Sequence, residues 1–142
     1  MQLTIGSAEP RDEQAVCALW RACDLVANYN DPKADFEFAK AGECSDVLVG
    51  RNSEGSICGS VMVGHDGHRG WLYYVASDPT RRGAGFGRQM VAAGEDWLRQ
   101  RGVVKVQLLV RETNTKVISF YEHLGFEVAP RTVMAKWLIE TP

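Results

Sequence analysis

Eight residues in the middle of the chain, Arg81-Arg82-Gly83-Ala84-Gly85-Phe86-Gly87-Arg88, restrict what it can fold into more than any other stretch. They follow an apolar run, Trp71 to Ala76, and open a helical stripe of Phe86, Met90, Ala93 and Trp97, with Val91 and Leu98 beside it. A buried strand, a glycine turn and an amphipathic helix are expected in that order. Glycine lets the backbone approach a ligand closely and take dihedrals that other residues avoid. Amides at a helix start lack intrahelical acceptors, and with the positive end of the helix dipole they form an anion site suited to a pyrophosphate. A P-loop needs G-x-x-x-x-G-K followed by Ser or Thr, and no Lys follows these glycines. A dinucleotide fingerprint, G-x-G-x-x-G, belongs in a first βα unit. Here Gly83, Gly85 and Gly87 alternate, far into the chain and after an antiparallel hairpin. The pattern R-x-x-G-x-G (Arg82, Gly85, Gly87) fits both residues and placement. The competing reading is a glycine turn with no ligand, at a cost in backbone entropy on folding.

The flanking pattern is that of an α+β, mixed three-layer domain spanning residues 1–142. Leu3 to Ile5 alternates as a short strand. Pro10 suits a first helical turn, and Val16, Leu19, Trp20 and Cys23 then share one helix face, with Trp20 in the core. Asn28 to Lys33 interrupts, and a second helix is expected from about Ala34 to Ala41. Val47–Val49 and Ile57–Val63 read as a hairpin around Asn52–Gly55, and Asp66-Gly67 as a second hairpin turn. Trp71–Ala76 is apolar on both faces, which implies a central, buried strand. Gly102 stops the long helix. Val106–Val110 reads as another buried strand. A helix from about Asn114 buries Val117, Phe120, Tyr121 and Leu124 and stops at Gly125, and Val133–Ile139 reads as a closing strand.

Composition enters as a set of exclusions. Lys and Arg total 16 against 18 Asp and Glu, so the net charge is −2, and no global positive field exists to attract nucleic acid. No run approaches the roughly 18 apolar residues of a membrane span, and no basic-then-apolar signal opens the chain. Cys17, Cys23, Cys44 and Cys58 form no CxxC pair, and the pair His65 and His68 lacks a third ligand, so no metal is expected. Cytoplasm is the expected compartment.

With these segments in view, the chain resembles the GNAT superfamily of N-acetyltransferases over nearly its whole length. The stretch Val75-Ala76-Ser77-Asp78-Pro79 through Arg82–Arg88 is similar to the family's acetyl-CoA motif. Val110-Arg111-Glu112-Thr113-Asn114 and Phe120-Tyr121-Glu122-His123-Leu124-Gly125-Phe126 resemble its second signature. Leu19-Trp20 with Cys23-Asp24-Leu25, Asn30-Asp31-Pro32 with Asp35, and Asp66 through Gly70 are closest to the YpeA-like branch of small bacterial acetyltransferases. The resemblance implies a mostly antiparallel sheet whose fourth strand bulges and splays from the fifth. Pantetheine would pair with Val75, Ala76 and Ser77, and the pyrophosphate would sit on the amides of Gly83, Ala84, Gly85, Phe86, Gly87 and Arg88, with Arg82 beside them. Asn114 would touch the pantetheine arm, and Tyr121 would stand near the sulfur. Acetyl-CoA is the implied donor, a primary amine of a small molecule or protein the implied acceptor, and homodimer formation stays open.

Acetyl transfer needs the amine stripped of a proton, a fixed donor for the tetrahedral oxyanion, and a proton donor for the leaving thiolate. A strand amide near Val75 or Ala76 suits the oxyanion, and Tyr121 the thiolate. Tyr121 also fits as a core aromatic. The positions where some relatives place a glutamate base hold Leu109 and Trp71. Asp24, Asp31, Asp66 and His68 are the remaining candidates, each equally suited to a cap, turn or surface role. Asp24, Asp31 and Asp35 can also form an acidic rim for a cationic amine. The absent carboxylate motivates an alternative, a non-catalytic acyl-CoA-binding regulatory module.

Overall fold

The computed structural model describes residues 1–140, so the last two residues of the expected 1–142 domain lie outside the described residues. The chain forms two compact units, residues 1–108 and the segment from Leu109 onward.

In the first unit, β1 (Thr4–Ser7), β2 (Ser45–Arg51), β3 (Ile57–His65), β4 (Gly70–Ser77) and β5 (Val106–Gln107) form one sheet in sequence order. The first four strands pair antiparallel and β5 lies parallel to β4. Helices α1 (Glu13–Ala22) and α2 (Pro32–Ala41) cover one face and α3 (Phe86–Arg99) the other. Strand alternation divides the core accordingly. Val47 and Val49 pack with Val16, Leu19, Trp20, Phe36 and Ala39, whereas Gly50 and Gly59 leave room for Met90, which is fully buried. On that second face Gly94 brings α3 down onto Leu72: a Cβ there would stand 2.7 Å from Leu72 Cδ2.

Local chemistry explains the boundaries. Asp31 caps α2 by accepting from the amides of Lys33 and Ala34, with Pro32 in the first turn, so the helix begins slightly earlier than its apolar pattern suggests. Asn52 Oδ1 accepts from the amides of Glu54 and Ser56 in the first hairpin, and Asp66 Oδ1 from those of His68 and Arg69 in the second.

In the second unit, α4 (Thr115–His123) is capped by Asn114, whose side chain accepts from Val117 N. It stops at Gly125, where φ is +93°, with Gly125 N bonded to Glu122 O and Phe126 N to Tyr121 O. Four sequence expectations are corrected. Helix α4 fully buries none of Val117, Phe120, Tyr121 and Leu124, and Phe120 is exposed. The Val106–Val110 strand is only Val106–Gln107, because no ladder partner continues past Trp71. No strand forms over Val133–Ile139 among the described residues, since apolar content alone supplies no edge to pair with. β4 is internal in strand order, yet Tyr73 is 45% exposed and Trp71 half-buried, so that strand is not covered on both faces.

Candidate active site

Strand β4 is interrupted at its centre. Met62 pairs with Tyr73 and Ser60 with Ala76, so two steps along β3 oppose three along β4. The extra residue is a bulge at Tyr74–Val75, and Tyr74 carries φ +50°. A positive φ on a bulky residue is costly and must be held in place. Two contacts hold it. The Tyr74 ring stacks on Trp20, and its hydroxyl donates to Asp35 Oδ2 at 2.7 Å. Trp20 is itself fixed, fully buried with Nε1 donating to Ser60 Oγ at 2.9 Å. Burial and the Asp35 carboxylate push the Tyr74 hydroxyl far above its ordinary pKa, so it stays a donor.

Past the bulge, β4 and β5 separate. Only Gly70 and Trp71 pair with β5, although β4 continues to Ser77. The edge of Val75, Ala76 and Ser77 opposite β3 is left without a ladder among the described residues. The Ser77 carbonyl accepts from Cys23 Sγ at 3.1 Å, which ties the strand end to α1.

The glycine turn follows directly. Asp78 caps a short 3₁₀ turn, Pro79–Arg81, by accepting from Thr80 N and Oγ1. Gly83 and Gly85 then take φ +83° and +77°, and Gly85 is the N-cap of α3. Phe86 is buried and anchors the first turn. The amides of Gly83, Gly85, Phe86, Gly87 and Arg88 donate to no acceptor among the described residues. Arg82 and Arg88 are exposed and make no ion pair among those residues, whereas Arg81 is drawn to Asp78 at 3.4 Å. A run of free amides, two left-handed glycines and two uncommitted guanidinium groups is an anion cradle. Val75, Ala76 and Ser77 are therefore joined to Arg82 through Arg88 by Asp78 and the Pro79–Arg81 turn alone, from the bulge to the first turn of α3.

The remaining two sequence candidates lie in the second unit. Asn114 uses its side-chain oxygen to cap α4. Tyr121 is half-buried between Phe120 and Phe126, with edge-on ring distances of 5.0 and 5.5 Å, and burial pushes its phenol up to about 12.

A cavity of about 770 Å³ opens beside the bulge, within the first unit. Asp35, Phe38 and Ala39 of α2, spaced i, i+3 and i+4, form one wall with the helix's C-cap, Gly42. Trp71, Tyr73 and Tyr74 of β4 face it with Met62 of β3. The proton-acceptor candidates separate here. Asp31 is a cap and His68 is exposed. Asp24 is exposed and sits at φ +57° beyond α1. Asp66 lines the cavity, but the amides of Arg69 and His68 and the indole of Trp71 hold its carboxyl down at about 2. Trp71 is a cavity wall and Leu109 is exposed, so neither supplies a carboxylate. Asp35, read from sequence only as part of a rim, is the carboxylate at the bulge. The signal available was its place at the head of that α2 stripe. The described residues hold no group of three His, Cys, Asp or Glu side chains arranged for a metal.

Residues 14–126 match the profile of the Acetyltransferase (GNAT) family. An acetyltransferase of Pectobacterium atrosepticum is 41% identical over 129 residues, covering 91% of each chain. An acetyltransferase of Yersinia pestis is 39% identical over 128 residues, covering 90% of each. Among solved structures, AAC(6')-Iy in complex with a bisubstrate analog, CoA-S-monomethyl-acetylneamine, superposes with a TM-score of 0.82 at 17% identity, over 98% of this chain and all of that one. At that identity the likeness is one of fold.

Proposed function

Since the chain belongs to the GNAT acetyltransferase family, we propose that it moves an acetyl group from acetyl-CoA directly to a primary amine of a small molecule or protein. The observation that carries this reading is the unbroken run from the β4 bulge to the five free amides at the start of α3. In the reading, the free amides of Gly83, Gly85, Phe86, Gly87 and Arg88 receive the pyrophosphate, with Ala84, whose own amide bonds to Arg81 O, between them, and Arg82 and Arg88 add charge-assisted bonds. The open edge of Val75, Ala76 and Ser77 pairs with pantetheine, as a further strand would. Asn114 keeps its amide nitrogen for the same arm while its oxygen caps α4.

The chemistry follows from these placements. The neutral amine attacks the thioester carbonyl, a C–N bond forms, and negative charge gathers on oxygen. An amide freed by the bulge stabilises that charge. The C–S bond then breaks, the nitrogen sheds its extra proton to water, and the thiolate takes a proton, in this reading from Tyr121, which recovers one from solvent. A phenol near 12 protonates a thiolate of ordinary pKa, about 8.5, only uphill, so Tyr121 acts mainly as a donated hydrogen bond that becomes transfer as charge develops. The reading takes residues 1–142 as one catalytic domain. Four free cysteines, one of them exposed, suit a reducing cytoplasm, and no helix among the described residues is long and apolar enough to cross a membrane.

Calorimetric titration with acetyl-CoA, followed by thiol release across an amine panel, tests the proposal. Heat for acetyl-CoA and thiol release with at least one amine are expected. Heat without turnover on any amine returns the regulatory-module alternative, and no heat at millimolar ligand overturns the donor site.

A further inference from the structure

The cavity beside the bulge is larger than one amino group requires, and its charge is one-sided. Its volume of about 770 Å³ is within the range of small-molecule sites, roughly 300–1,000 Å³. Its walls are mostly apolar and aromatic: Leu25 and Phe38 on one side, Met62, Trp71 and Tyr73 on the other. Asp35, Glu43 and Asp66 line it, and among the described residues no Lys or Arg does. The carboxylates of Asp35 and Asp66 are fixed by aromatic residues three positions apart on β4. Asp35 is bonded to the Tyr74 hydroxyl at the bulge and Asp66 to the Trp71 indole at the hairpin end. Three strand residues span roughly 10 Å. The apolar walls lie between two anchored negative charges.

We propose that this cavity takes an aliphatic amine carrying a second cationic nitrogen, with Asp35 receiving the reacting amine and Asp66 the distal one. The proposal rests on the acetyl-transfer reading above and names the acceptor class for it. Asp35 has the geometry for the reacting end. One oxygen is held by Tyr74, and the other has no partner among the described residues. It pairs with the ammonium and takes its proton as the nitrogen attacks. One N–H bond breaks toward the carboxylate, the freed amine forms the C–N bond, and as the C–S bond breaks the nitrogen sheds its second proton to water while the thiolate is protonated as above. Asp66 cannot serve this way, because its three donors keep it ionised. It is a fixed counter-charge. Phe38, 86% exposed, and the other walls give the methylene spacer an apolar path between the two.

The test compares α,ω-diamines of increasing length with monoamines of matched length, in thiol-release kinetics and in calorimetry of the amine alone. The wild-type protein should show a kcat/KM maximum at one diamine length, at least tenfold above the matched monoamine. Asp66→Asn keeps an acceptor oxygen for the turn amides and should bring the diamine-to-monoamine ratio close to one, mainly through KM. Asp66→Ser, another turn former, repeats the test if the first variant misfolds. Asp35→Asn should lower kcat at least a hundredfold. Equal rates for diamines and monoamines, an unchanged ratio in Asp66→Asn, or a lysine peptide outpacing every diamine would each overturn the proposal, with the donor reading intact if acetyl-CoA still gives heat. Conversely, diamine heat that Asp66→Asn abolishes, in a protein silent to acetyl-CoA, would uphold the cavity and overturn the donor reading.

Discussion

The rings of Trp20 and Tyr74 lie face to face, with centroids 4.0 Å apart and planes 8° from parallel. This stack joins the largest fully buried side chain of α1 to the residue at which β4 leaves its regular register. It links the core to the bulge, so the shape of the site depends on the packing behind it. Stacking of this kind contributes about 0.5–1.5 kcal/mol beyond the area buried, which offsets part of the cost of a tyrosine at positive φ.

Ser60→Ala tests the support beneath that stack. It strands the indole N–H of Trp20 in a site without water access, and a buried unsatisfied donor costs about 1–3 kcal/mol. Thermal or denaturant unfolding should register that loss with an unchanged m-value. A neutral substitution would mean that Trp20 finds another acceptor.

Gly85→Ala separates strain from sterics. A Cβ at Gly85 would meet nothing within 4 Å, so the only conflict is with φ +77°. A left-handed alanine costs about 1–2 kcal/mol. The same change at Gly67, φ +86° and also in open space, supplies the control. Both variants should lose comparable stability, but only Gly85→Ala should weaken acetyl-CoA binding in calorimetry, by tenfold or more. Equal affinities in the two variants would remove the diphosphate from the α3 turn.

Tyr121→Phe keeps the ring between Phe120 and Phe126 and deletes only the hydroxyl. General acid assistance is typically worth about 10²–10⁴-fold, and a fall in kcat of that order is expected with little change in stability. Because burial pushes the phenol up to about 12, the wild-type rate should show no alkaline limb from this group below about pH 11. A limb near pH 9 that disappears in Tyr121→Phe would contradict this.

Asp66 gives the fold a signed dependence on acid. Its folded pKa, about 2, lies below the ordinary 3.8, chiefly because the amides of Arg69 and His68 bond the ionised form. The stabilisation is therefore present above about pH 4 and is lost as pH falls toward 2. The stability difference between wild type and Asp66→Asn should shrink across that window. A constant difference from pH 5 to pH 2 would show that the carboxylate charge contributes nothing.

How far the molecule could be read from its sequence depends on how local each feature is. Gly85 and Gly125 at helix ends, Asp31 as a cap, and Asp66 in its turn were legible because each acts within a few residues of itself. The stripe Val16, Leu19, Trp20 was legible for the same reason, since helical periodicity records which side faces a core. The bulge could be placed near Val75 only through family resemblance; nothing in Trp-Leu-Tyr-Tyr-Val-Ala marks Tyr74 as the residue with positive φ. Asp35 meets Tyr74 across 39 residues of chain, a pairing that no window on the sequence contains. The expected strand at Val133–Ile139 fails for a related reason: an extended apolar run becomes a strand only where an edge receives it.

The two-residue ladder between β4 and β5 gives β4 two clocks. Amides directed toward β3 are locked into a long antiparallel ladder and should exchange their protons with solvent slowly. The alternating amides beyond Trp71, on the other edge, should exchange faster in the free protein. Slowing of that fast set alone, when a ligand is added, would show residue by residue how much of the missing edge the ligand replaces.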